Sequence, residues 1–145
     1  MIVPDLDLLI FAYNDMSEFH QEARAWWEEL VNGTGTIGIP WQVSNGFVRQ
    51  MANSRVVEKP WTPAQATRTV AEWFGSDHIV TLDPGPRYLE ILEHILATTG
   101  ATTRLVPDAT IAALALENGA EVHTHNARDF QRFPSLLCQN PLLQR

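Results

Sequence analysis

The chain is nearly without lysine and nearly without cysteine. Lys59 stands alone against nine arginines, and acids outnumber bases to leave a formal net charge of -7. Phosphate affinity comes largely from Lys and Arg, so this balance excludes a generic, charge-driven nucleic-acid binder. It leaves room for a bound cation or a basic partner protein to neutralise the excess acid. Cys138 is the sole cysteine, which excludes an internal disulfide and fits a reducing cytoplasm. Its expected role is that of a small, buried or half-buried hydrophobe. No apolar run reaches the roughly 18 residues that a bilayer span requires, and no basic segment precedes the first apolar stretch. Neither a membrane helix nor a signal peptide is therefore expected. Repeats, low-complexity tracts and linkers are also missing. What is present is 145 residues, 45% hydrophobic, which predicts one domain over residues 1–145 with a substantial core.

The apolar pattern alternates between short runs and helical stripes. Residues 2–4, Ile37-Gly38-Ile39-Pro40, Ile79 to Leu82 and Glu121 to Thr124 predict strands. A last strand is expected near Leu142-Leu143. Leu8 to Tyr13 predicts a short buried helix, and Ser17 the N-cap of the next, whose stripe is Phe19, Ala23, Trp26, Trp27, Leu30 and Val31. Further helices carry Val43, Phe47, Val48 and Met51, then Ala66, Val70, Trp73 and Phe74. Thr62-Pro63-Ala64-Gln65 has the form of a capping box. The helix after Asp108 is nearly all Ala, Ile and Leu, so it should be deeply buried, and Asn118-Gly119 should end it. Strands alternating with helices predict an α/β fold, with a central parallel sheet of about four to five strands and helices on both faces.

Carboxylates recur at the boundaries of these elements. Asp5 and Asp7 are two apart at the end of the first strand, where an extended backbone aims both side chains the same way. Asp108 follows an apolar segment read as strand-like and opens the buried helix; an ordinary N-cap is its alternative reading. Asp129 precedes Phe130 in Thr124-His125-Asn126-Ala127-Arg128-Asp129-Phe130. Asn126 either orients a carboxylate or forms a turn, and Thr124 is either a strand residue or a hydroxyl near the site. In a parallel sheet, ligands bind beyond the carboxyl ends of the strands. Acids gathered there without basic partners repel one another and persist when a cation holds them together. A divalent-metal site is the expectation.

These segments resemble a known family. Asp5 followed by Leu8 to Tyr13, Ile39-Pro40-Trp41 to Arg49, Val106-Pro107-Asp108-Ala109 and the run Thr124 to Phe130 with Arg132-Phe133 are similar to PIN-domain ribonucleases, and among them to the VapC toxins of bacterial toxin–antitoxin pairs. The resemblance covers essentially the whole chain. It implies a Mg²⁺- or Mn²⁺-dependent endoribonuclease in which acids hold metal and an activated water attacks an RNA phosphodiester. Transfer RNA or ribosomal RNA is the implied substrate. Carried over by position, Asp5 and Asp108 are the core metal ligands and Asp129 the last acid, with Asn126 in support. The family further implies a homodimer and a cognate VapB-type antitoxin.

Two positions depart from the family pattern. Gly46 stands where the family usually carries a glutamate, and Asp7 where it usually carries Asn or Ser. Asp7 is expected to replace the missing carboxylate in part and so to join the metal set. The alternative is a weakened PIN-like domain that binds RNA or an antitoxin without cleaving. Asp5-Leu6-Asp7 also imitates the acid pair of haloacid-dehalogenase-type phosphatases, yet Leu9 stands where those enzymes need Thr or Val, and Lys59 lies in a loop. Arg49, Arg55, Lys59, Arg128 and Arg132 are the residues expected to grip an RNA backbone. His123 and His125 read as a strand-end pair exposed to solvent, without the companions a zinc site needs. The Trp26-Trp27 and Trp73-Phe74 stripes read as core, with a partner surface as their second role.

Overall fold

The computed structural model describes residues 1–144; position 145, the last of the expected single unit, lies outside them. Five short parallel strands form one sheet: β1 (Ile2–Pro4), β2 (Ile37–Pro40), β3 (Ile79–Leu82), β4 (Glu121–His123) and β5 (Leu137–Gln139). Their order across the sheet is β3-β2-β1-β4-β5, parallel at every pairing. Between them run α1 (Leu6–Tyr13), α2 (His20–Asn32), α3 (Trp41–Met51), α4 (Pro63–Phe74), α5 (Tyr88–Thr99), α6 (Val106–Glu117) and the single turn α7 (Ala127–Phe130).

The topology fixes where a ligand can bind. From β1 the chain steps outward to β2 and β3, then crosses back to β4 and steps the other way to β5. Crossovers between parallel strands are right-handed, so reversing the direction of travel moves the helices to the opposite face. Accordingly α1 packs on α2 and α3, and α3 on α4, while α5 packs on α6, and α6 on α7. The reversal falls between β1 and β4. In open parallel sheets such a switch point, beyond the carboxyl ends of the two strands, is where ligands bind.

Burial on both faces explains the strand sequences. All four residues of β2 are buried, as are Val3 and Pro4 of β1 and Val122 and His123 of β4. The Trp and Phe stripes are core, as expected: Trp26, Trp27, Phe47 and Trp73 are at most 4% exposed. One hydroxyl ties three helices together, since Tyr13 Oη accepts the indole N–H of Trp27 at 3.1 Å and of Trp73 at 2.9 Å. Thr62 and Gln65 form the expected capping box on α4. Gly119, at φ +62°, takes the left-handed turn that ends α6, which glycine adopts without a Cβ penalty.

Three local expectations are corrected. The fifth strand is Leu137–Gln139, and Leu142-Leu143 lies in the 3₁₀ turn Pro141–Gln144. Leu137 is 65% exposed, so β5 shows no apolar run to read, whereas buried Leu142 joins the core from a turn. Ser17 does not cap α2 directly: its hydroxyl accepts from Phe19 N–H at 3.1 Å and its carbonyl from His20 N–H, shaping the turn before the helix. The residues before Asp108 are no strand. A 3₁₀ turn over Thr103–Leu105 runs straight into α6, which starts at Val106.

Candidate active site

Asp5 and Thr124 are the first residues beyond β1 and β4, so the sheet register sets them side by side. Asp5 N–H donates to the His123 carbonyl at 2.8 Å, extending the ladder by one bond. Asp5 is the N-cap of α1, with Oδ1 accepting Leu6 N–H at 2.8 Å. Its other oxygen accepts the hydroxyl of fully buried Thr124 at 2.7 Å. Asp7 sits in the first turn of α1, helical and not extended, yet it turns to the same hydroxyl. Its Oδ1 accepts Leu8 N–H at 2.7 Å, and its Oδ2 accepts His125 N–H at 3.1 Å and lies 3.4 Å from Thr124 Oγ1. The single hydroxyl proton belongs on Asp5, the nearer acceptor, while Thr124 Oγ1 in turn accepts Asn126 N–H at 2.9 Å. Thr124 is thus the hinge pin of the site and not merely a strand residue.

Asp108 enters from α6. The helix is N-capped by Leu105 without a side-chain hydrogen bond, and Asp108 lies in the first turn, so the ordinary capping explanation for this acid does not hold. Asp129 comes from α7. Asn126 Nδ2 donates to Asp129 Oδ2 at 2.8 Å, and Arg104 Nη1 lies 3.2 Å from the same oxygen. Arg132 Nη2 is 3.9 Å from Oδ1.

The electrostatics divide these acids. Burial pushes the Asp7 carboxyl up to about 7, helped by the charge of Asp5. Burial also raises Asp5, against the hydrogen bonds from Thr124 and Leu6. Asp108 is pushed up to about 6 by burial and by the charges of Asp5 and Asp129, with Arg104 opposing. Asp129 moves the other way, held below the usual carboxylate range by the Asn126 amide and by Arg104 and Arg132. Three acids are therefore raised on balance, burial and neighbouring charge outweighing their partners, and one is lowered.

Among the described residues, no group of three or more His, Cys, Asp or Glu side chains forms a ready-made metal cage. The donor set nonetheless suits a hard cation. Mg²⁺ is usually held by one or two carboxylates while waters complete its shell, and Asp5 and Asp108 offer such oxygens. Gly46 is buried in α3, and a Cβ there would lie 2.6 Å from Leu6 Cδ2. Leu6 fills the space from which a side chain at 46 would start, and α3 carries no acidic residue.

The remaining sequence expectations divide by place. Arg132 reaches the site. Arg49 lines a separate groove of about 480 Å³ between α3 and α4, beside the exposed Trp41. Arg55, Lys59 and Arg128 are exposed. His123 is not solvent-exposed: its Nδ1 accepts the Trp26 indole N–H at 3.0 Å and its Nε2 meets Glu121 at 2.9 Å. His125 is half-buried, packed against Phe11 and Phe19. Arg104 escaped the sequence reading. Its one sequence signal is a lone basic residue four positions before Asp108, the spacing of one helical turn.

Comparison with known proteins agrees with this geometry. No protein-family model matches the chain. It is 36% identical over 142 residues to Ribonuclease VapC33 of Mycobacterium tuberculosis, covering 98% of the chain and 99% of that protein. Ribonuclease VapC37 of the same organism is 30% identical, with 97% of each chain covered. Among solved structures, the Rickettsia felis VapBC2 complex bound to a promoter DNA fragment superposes with a TM-score of 0.69 at 19% identity, over 97% of this chain and 98% of that one. The Haemophilus influenzae VapBC-1 complex gives 0.64, also at 19% identity, over 97% and 98%. With near-complete coverage at this identity, and with acids gathered at the switch point of a five-stranded parallel sheet, the chain belongs to the VapC ribonuclease family.

Proposed function

We propose that this chain is an endoribonuclease, the toxin of a type II toxin–antitoxin pair, that hydrolyses a phosphodiester of tRNA or rRNA in the cytoplasm. The whole chain acts as one PIN-like domain. The observation that carries this reading is the trio Asp5, Asp7 and Asp108, in which the charge of Asp5 bears on both of the other acids, at the topological switch point of the parallel sheet.

Asp5 and Asp108 would hold Mg²⁺ or Mn²⁺. Bound there, the cation supplies a more acidic water and shields charge that grows on the phosphate. Asp7 adds negative charge behind them and offsets in part the acid missing at Gly46, its oxygens steadied by Leu8 and His125 N–H. Thr124 fixes Asp5 by donating its hydroxyl proton, and Asn126 fixes Asp129. Among the described residues no helix is long and apolar enough to cross a membrane, and none is needed for this chemistry. The solved neighbours named VapBC support an antitoxin partner, and the family supports a homodimer.

The test is incubation of antitoxin-free protein with total tRNA and rRNA, in Mg²⁺ or Mn²⁺ and in EDTA, beside Asp5→Ala. Discrete cuts that require both metal and Asp5 are expected. RNA bound but uncut would favour a binding-only domain, the reading that Leu6 packed against Gly46 supports.

A further inference from the structure

Asp129 is built unlike the other acids. Two arginines converge on it from different elements: Arg104 from the 3₁₀ turn ahead of α6, and Arg132 from just beyond α7. The Asn126 amide donates a hydrogen bond to it as well, at 2.8 Å. A carboxylate answered by two guanidinium groups has little charge left for a divalent cation. The arginines, in contrast, are barely used. Arg104 is 67% exposed and Arg132 55% exposed. A guanidinium carries five N–H donors in a fork that fits phosphate oxygens two at a time. Near this acidic crevice, in a chain of net charge -7, some positive group must receive an RNA phosphate.

We propose that Asp129 is not a metal ligand but the anchor of an arginine clamp, in which Arg104 and Arg132 take phosphate oxygens of the RNA beside Asp5 and Asp108. The inference rests on the nuclease reading above and adds to it the groups that hold the substrate. Asp129 and Asn126 are positioning residues. Arg104 and Arg132 touch the RNA. Arg128, on the same turn, points at no acid among the described contacts and is the comparison residue.

Binding of a fluorescein-labelled single-stranded RNA by anisotropy tests this without any cleavage, across a salt series, in EDTA and in Ca²⁺. Mn²⁺ affinity is measured separately by electron paramagnetic resonance, and folding by circular dichroism. Arg104→Ala and Arg132→Ala should each weaken RNA binding about fivefold or more and flatten the salt dependence by about 0.7 in log–log slope, the value for one lost phosphate contact on a single strand. Their Mn²⁺ affinity should stay within twofold of wild type. Asp129→Asn discriminates most sharply. Removing a negative charge near RNA should tighten binding by simple electrostatics, whereas loss of an anchor weakens it, with Mn²⁺ affinity kept. Tighter RNA binding by Asp129→Asn, or a loss of its Mn²⁺ binding, would overturn the clamp. So would wild-type RNA binding by Arg104→Ala with improved Mn²⁺ affinity, which would make Arg104 an internal plug. A wild type that binds no RNA in either buffer overturns it as well. If clamp variants lose RNA binding but the wild type cuts nothing, the nuclease reading fails and the clamp stands.

Discussion

Two polar clusters hang from the same strand, β4, and they are opposites. On the body of β4, Glu121 and His123 join Trp26 and Gln139 in a closed network. The indole donates to His123 Nδ1, the other ring nitrogen meets Glu121, and Gln139 donates to the same carboxylate. Burial lowers the His123 pKa, and the Trp26 bond fixes the neutral tautomer with its proton on Nε2. One residue further along, Thr124 opens the second cluster, where Asp5, Asp7 and Asp108 share a crevice and each is raised. A buried polar network with every group paired specifies and stabilises a core. A buried set of like charges costs stability and persists for a reason other than folding. The chain places one beside the other, so that the rigid network holds the strained site: the carbonyl of His123 carries Asp5 N–H.

The contrast can be broken from either side. The largest effect is expected for Asp5→Asn, which keeps an N-cap oxygen for α1 and should lower metal-dependent RNA cleavage at least about a hundredfold while leaving the melting temperature unchanged or higher. Gel assay and thermal melting on the same preparation check both halves. Next, His123→Ala should cost about 2–4 kcal/mol in urea unfolding, because Trp26 Nε1 loses its partner in a buried setting and the lost ring leaves a cavity. A loss below half of that would show that the network contributes less than its geometry indicates.

Asp7 gives a smaller effect, read through pH. Its carboxyl lies near 7 in the fold against a usual value near 3.8, so the folded state binds the proton more tightly. Its contribution to stability is then fully present below pH ~4 and is lost as pH rises towards 7. Metal-free protein should therefore melt higher at pH 5 than at pH 8, and Asp7→Asn should reduce that difference. The same variant should weaken Mn²⁺ binding if Asp7 stands in for the missing glutamate. The smallest expected change is a gain: Leu6→Ala with Gly46→Glu clears the space Leu6 fills and restores an acid, which should tighten Mn²⁺ several-fold by the added carboxylate. Titration of the single and double variants separates the two contributions.

Which parts of this were legible in the chain follows from where the physics is local. Helical stripes and the runs of β1, β2 and β4 announce themselves because burial demands apolar residues, and β3 does so by its run Ile79 to Leu82 although Val80 is exposed. β5 does not, since three residues with Leu137 exposed carry no pattern. Asp5 and Asp108 stand out as acids beside apolar segments, but the segment before Asp108 does not reveal its form, because a 3₁₀ turn and a helix start share the composition of a strand. The burial of His123 has no local signal, because its partner Trp26 is 97 residues away. Arg104 was invisible for the same reason: nothing near it in sequence shows that Asp129, 25 positions on, will meet it.

The central claim is that a cation resolves the repulsion among Asp5, Asp7 and Asp108. Thermal melting of metal-free protein titrated with Mn²⁺, beside the Asp5→Asn/Asp108→Asn double variant, tests it most directly. Wild type should gain melting temperature saturably as metal binds the folded state, while the double variant should start higher and stay flat. Equal responses in the two proteins, or no response in wild type, would contradict the account.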